Sequence, residues 1–94
     1  MDGFEWDPDK DLHNRRKHGV GFIDATQVFL DRYRVIPEDL RHSRHERRFY
    51  CFGMVAGGVM TVRFTYRGNT IRIIGAGYWR MGKRYYEQQN SLHR

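Results

Sequence analysis

The chain changes its hydrophobic period near its middle. From Val59 to Arg67 apolar and polar residues alternate, so Met60, Val62, Phe64 and Tyr66 share one side of an extended segment and Thr61, Arg63, Thr65 and Arg67 the other. Arg48–Met54 and Thr70–Ala76 also read as strands. The turn sequences Ala-Gly-Gly at 56–58 and Gly68-Asn69 lie between them, which predicts an antiparallel meander of three strands. Earlier in the chain the period is helical. Phe22, Ala25, Val28 and Phe29 predict an amphipathic helix over Phe22–Leu30. Asp7-Pro8 starts another helix, which Gly19 stops after His18. Its apolar content is thin, so it is expected on the surface with Leu12 as its anchor. Gly3–Trp6 and Tyr33–Pro37 read as short strands, Glu38–Glu46 as a polar loop, and Arg80–Leu92 as a closing helix of good helix formers apart from Gly82.

These elements predict an α+β fold with an antiparallel sheet, two N-terminal helices and a C-terminal helix. Met60, Val62, Phe64 and Tyr66 are expected to face the helices as core. Thr61, Arg63, Thr65 and Arg67 would then lie on an open sheet face, with Arg72 joining from the next strand. A solvated sheet face also shows polar residues, but it usually mixes signs, and this one carries no acid.

The 94 residues suit one domain spanning 1–94, and 39% hydrophobic with 15% aromatic residues is enough to fold it. No apolar run approaches the roughly 20 residues of a membrane-crossing helix. The opening MDGFEWDPDK is acidic and has neither the basic start nor the apolar run of a signal peptide. Cys51, between Tyr50 and Phe52, reads as a buried structural thiol, and a lone cysteine fits a reducing, cytoplasmic setting. Charge is the more telling property. Residues 1–40 carry six Lys/Arg against nine Asp/Glu, a balance of −3, while residues 41–94 carry eleven against two, a balance of +9. Such a half-chain is suited to hold a polyanion such as a nucleic acid; a solvated surface or a dock for an acidic protein are the alternatives.

Several segments, in order and at matching spacing over roughly residues 4–87, resemble the BrnT family of type II toxin–antitoxin systems. They are Phe4-Glu5-Trp6-Asp7-Pro8 with Lys10, Asn14, Lys17-His18-Gly19-Val20, then Phe22, Ala25, Val28-Phe29 and Asp31. His42-Ser43, Glu46-Arg47, Ile71-Arg72-Ile73-Ile74 and Tyr86-Glu87 complete the match. The resemblance implies a compact fold similar to RelE-type toxins and an RNA-cleaving activity that slows translation. It also implies a BrnA-like ribbon-helix-helix antitoxin that neutralises the toxin and carries it to operator DNA. BrnT-like chains commonly continue the last strand into Ser-Ala-Arg; here Gly75-Ala76-Gly77 stands in its place. Either Arg80 or Lys83 supplies the missing cation from the start of the last helix, or this chain cuts differently, weakly or not at all.

RNA is cut without a metal when its own 2′-hydroxyl attacks the adjacent phosphate, and the protein must align that attack, stabilise the added charge and move two protons. Arginine meets phosphate oxygens in pairs. Arg72 and Arg80, which flank the family's C-terminal motif, are the first candidates for catalytic cations, with Arg63 and Arg67 as RNA-binding ones and Arg84 beside them. Tyr78 or Tyr86 is a candidate for proton transfer if a cation lies alongside, Lys83 for a general acid, and Trp79 for base stacking or for packing under the last helix. His42 is a further acid–base candidate. His42, His45 and Glu46 mimic metal-ligand spacing but lack the three or four paired ligands a zinc site requires, so no metal or other cofactor is expected. His18 is expected to cap the last turn of its helix or to interact with the helix dipole. The contrasting reading is a non-catalytic module that binds RNA or the antitoxin on the same fold.

Overall fold

The computed structural model describes residues 3–91. Asp7 and Gly19 frame helix α1 (Pro8–His18). The Asp7 carboxylate accepts from the Asp9 N–H at 2.9 Å, and Gly19, at φ 72°, returns its own N–H to the Arg15 carbonyl. Leu12 is not the anchor of this helix; it is 38% exposed. The buried residue is Asn14. Its Nδ2 donates to the carbonyls of Val20 and Ala76 at 2.8 and 2.9 Å, while its Oδ1 accepts from the Ala76 N–H at 3.2 Å. The amide thus pairs with both backbone groups of Ala76, as a neighbouring strand would.

The predicted second helix is α-helical only over α2 (Phe22–Ala25) and continues as a 3-10 helix, Thr26–Leu30. Thr26 turns its hydroxyl back onto the Ile23 carbonyl at 2.6 Å, a local bond that competes with the regular helical ladder. Tyr33–Pro37 does not form a strand. It touches the sheet edge through single bridges, Val35 to Phe52 and Glu38 to Phe49, because Pro37 has no N–H to extend a ladder. The polar loop that follows contains a short 3-10 turn, Leu40–His42.

The meander forms as expected from β2 (Arg48–Val55), β3 (Gly58–Arg67) and β4 (Thr70–Gly77). A short β1 (Phe4–Glu5) adds to it parallel to β4, which makes a four-stranded mixed sheet in the order β1-β4-β3-β2. Arg63 pairs with Gly75 but Phe64 with Ile73, so Ile74 is an extra residue and β4 bulges beside Arg63.

One face of this sheet is the expected core. Met60, Val62 and Phe64 join Cys51, Ile73 and Ala76 in a buried cluster with Phe22, Ala25 and Val28 of the N-terminal elements. Tyr66, predicted to belong to it, is 51% exposed near the strand end. The other face departs from expectation. Helix α3 (Arg80–Ser91) lies across it, against β2 and β3, so Thr61 is only 2% exposed. Gly82 makes this approach possible: a Cβ there would run into the Thr61 hydroxyl and the Phe52 ring. Thr65, also 2% exposed, donates its hydroxyl to the Arg47 carbonyl at 2.7 Å. Only part of the predicted open face is therefore open. Leu92, the predicted end of the last helix, lies outside the described residues. Among those described, no helix is long and apolar enough to cross a membrane.

Candidate nucleic-acid interface

Helix α3 covers the half of the sheet face that contains Phe52, Val59 and Thr61. An aromatic row marks the limit of that cover: Tyr85 of α3 tilts against Phe52, and Phe52 stacks on Tyr50 at 5.6 Å. Beyond the row, cross-strand pairing places arginines side by side. Arg48 pairs with Thr65, and Thr65 with Arg72, in one row across three strands. The next row is Tyr50, Arg63 and Gly75. Residues directly opposite in a ladder share a face, so Arg48, Arg63 and Arg72 point to the same side, with Arg67 at the end of β3. Gly75 leaves the space beside Arg63 free; a Cβ there would meet Arg63 Nη1 at 4.0 Å.

Acidic residues hold some of these cations. Arg72 Nη1 lies 2.6 Å from Glu5 Oε2, and Arg67 Nε 3.3 Å from Glu46 Oε1. Outside the ladder, Arg47 binds both oxygens of Glu38, and that hydrogen bonding holds the Glu38 carboxyl below its ordinary range. Among the described residues, Arg48 and Arg63 make no such ion pair.

The loop before β2 packs against this surface. The Asp39 N–H donates to the Arg48 carbonyl at 2.7 Å, and the Ser43 hydroxyl donates to the carbonyls of Asp39 and Arg48. Asp39 is 5% exposed, and its Oδ2 lies 2.8 Å from Nδ1 of His42, whose side chain is 51% exposed. The Tyr50 phenol feels the same carboxylate. Burial pushes the phenol upward, the charge and hydrogen bond of Asp39 push it further, and Arg63 and Arg41 only partly oppose them.

The residues singled out in the sequence fall into two groups. Arg63, Arg67 and Arg72 share the sheet face described above. Arg80, Lys83 and Arg84 are exposed on the first turns of α3, beyond Gly77, which lies five positions, about 16 Å of strand, after Arg72. Tyr78 joins neither group: its hydroxyl donates to the Val55 carbonyl at 3.0 Å and its ring lies over Gly58. Tyr86 is buried and donates to Asp31 at 2.7 Å. Burial alone would raise the Asp31 carboxyl, but hydrogen bonds from the Met54 N–H, the Tyr86 hydroxyl and the Tyr33 N–H, with the charge of Arg34, bring it below its usual 3.8. Cys51 is fully buried, and that burial pushes its thiol up to about 12. Among the described residues no three His, Cys, Asp or Glu side chains gather as metal ligands would.

Gly77 has a local cause. A Cβ at this position would lie 2.6–2.9 Å from three ring atoms of Trp79. The indole occupies the space where a residue-77 side chain would begin, and it packs edge-on against His18 at 5.1 Å. Asp39 and Tyr50 are what sequence reasoning missed. The only trace of them is the spacing of Asp39 three residues before His42, which puts both on one side of a single turn.

Fold and surface together define a small α+β domain with a cationic sheet face bordered by a helix. The family model for the ribonuclease toxin BrnT of type II toxin–antitoxin systems matches residues 6–82, and the chain belongs to this family. The match runs from Trp6, between β1 and α1, to Gly82 in the first turn of α3. No curated protein sequence matches the chain.

Proposed function

We propose that this protein is a metal-independent endoribonuclease toxin whose RNA lies across the uncovered, cationic half of the α3-side sheet face. The observation that carries the proposal is the alignment of Arg48, Arg63 and Arg72 on one face of three adjacent strands, within a chain of a ribonuclease toxin family. Arg63 and Arg72 stabilise the negative charge that builds on the phosphorane, and Glu5 holds the Arg72 fork in place. Arg67 and Arg84 contact flanking phosphates. Arg80 and Lys83 supply, from the start of α3, the charge that residue 77 lacks. Trp79 offers its exposed edge to a base, a contact worth about 1–3 kcal/mol. Tyr78 keeps a proton-transfer role only if RNA draws its hydroxyl away from Val55.

We read the sheet with its helices as a RelE-like fold acting in the cytoplasm. RNA cleavage inhibits translation, and a BrnA-like ribbon-helix-helix antitoxin neutralises the protein and links it to operator DNA. The test is incubation of the purified protein with total RNA in EDTA. Cleavage persists in the chelator and falls about 100-fold in Arg72→Ala. Intact RNA together with salt-sensitive binding contradicts the proposal and assigns the chain to the non-catalytic alternative, an RNA- or antitoxin-binding module.

A further inference from the structure

We infer that His42 is the general base of RNA cleavage and that Asp39 is the residue that positions it. This rests on the ribonuclease reading above and adds the proton-transfer group that the arginines cannot provide. A carboxylate can only accept hydrogen bonds, so the 2.8 Å contact from Asp39 Oδ2 to His42 Nδ1 makes Nδ1 the protonated nitrogen. In the neutral ring Nε2 is then left with its lone pair available. The carboxylate is buried, and its own backbone is fixed to Arg48 and Ser43. The imidazole beyond it is half exposed. A buried acid holding an accessible imidazole in one orientation is the arrangement proton transfer needs.

The surroundings of the ring favour a phosphodiester. His42 lines a cleft of about 290 Å³ whose other walls are Arg41, Arg44, Arg48, His45 and Glu46. Arg67 already engages Glu46, so three guanidiniums face the cleft against one partly neutralised acid. Arg48 belongs to both the cleft and the sheet row of Arg72, and Arg63 lies beside Tyr50. An RNA strand crossing the arginine rows would thus reach His42.

The step balances without a metal or oxidant. His42 Nε2 takes the proton of the 2′-hydroxyl, and the 2′-oxygen forms a bond to phosphorus as the bond from phosphorus to the 5′-oxygen breaks. The departing 5′-oxygen takes a proton from water, and the imidazolium returns its proton to solvent. The products are a 2′,3′-cyclic phosphate and a 5′-hydroxyl.

The experiment compares the full chain with His42→Ala and Asp39→Asn on a single-stranded RNA that the wild type cuts. Affinity is measured on the same RNA carrying a 2′-deoxy sugar at the cut site, and folding by thermal melting. His42→Ala slows cleavage about 10²- to 10⁴-fold with affinity and melting unchanged. Asp39→Asn, whose amide no longer imposes the Nδ1–H tautomer, lowers kcat at least about 10-fold without raising KM. Wild-type cleavage rates in His42→Ala, alongside lost cleavage in Arg63→Ala, overturn the role of His42 and leave the ribonuclease reading standing. A fall in affinity that accounts for the whole loss of cleavage makes His42 a binding contact and overturns it as well. Intact RNA with the wild-type protein removes the ribonuclease reading, and this inference with it.

Discussion

Alternate residues of the same three strands build the two faces of the sheet, yet the faces do opposite work. On the N-terminal side, Cys51, Met60, Val62, Phe64, Ile73 and Ala76 are sealed beneath Phe22, Ala25 and Val28 of α2 and the 3-10 helix, in an apolar cluster. On the α3 side the sealed part is small, built round Phe52, Val59 and Tyr86, and the rest presents Arg48, Arg63 and Arg72. β3 therefore serves both faces: it buries Met60, Val62 and Phe64 in the core and presents Arg63 on the other side. Burial of its even-numbered residues fixes the backbone, and the fixed backbone sets the spacing of its odd-numbered ones. Side chains for chemistry are more accurately placed on such a strand than on a loop.

The comparison breaks first in the core. Phe64 packs edge-on against Phe29 and Tyr66 and stacks on Phe49, so Phe64→Ala lowers stability by about 3–5 kcal/mol, read from urea unfolding. Cleavage is then lost because the population unfolds, and conditions that refold the variant restore it. A smaller effect belongs to the other seal. Gly82→Val pushes a side chain into Thr61 and Phe52, lifts α3, and costs about 1–3 kcal/mol by thermal melting.

Asp31 sharpens the comparison because it ties the two sides together. It accepts from the Met54 N–H of β2 and the Tyr86 hydroxyl of α3, both at 2.7 Å, and lies at the end of the 3-10 helix. Its carboxyl is lowered on folding, so its contribution is fully present above the unfolded value near 3.8 and is lost as pH falls through the lower folded value. Asp31→Asn therefore destabilises the protein by about 1 kcal/mol at neutral pH, allowing for solvent screening. The difference between the two proteins shrinks in unfolding curves taken below pH 3.8.

Strand alternation made much of this visible in the sequence. The meander, its turns and the division of β3 into two faces follow from period-two patterning and Gly-rich turns, which act locally. The cover over Thr61 does not. It depends on a helix twenty residues later meeting the sheet at Gly82, where a missing side chain leaves no positive signal in the pattern. The second helix shortened because Thr26 found a nearer partner, and Asn14 is buried because a side-chain amide matched one exposed strand residue. Arg63, Arg67 and Arg72 were legible as a cationic face. Asp39 was not, since a buried acid in a polar loop has the same composition as a solvated one until its partners are known.

The central claim is that the uncovered half of the α3-side face is where RNA is cut, and a pair of matched charge removals tests it most directly. Arg63→Ala removes a cation from that face; Arg16→Ala removes one from the exposed side of α1, outside the strand rows. Both proteins are assayed on one RNA at fixed salt, with melting curves to confirm folding. The account predicts that Arg63→Ala loses about 100-fold or more in cleavage rate while Arg16→Ala keeps the wild-type rate. Equal activity in the two variants, or a larger loss in Arg16→Ala, would contradict it.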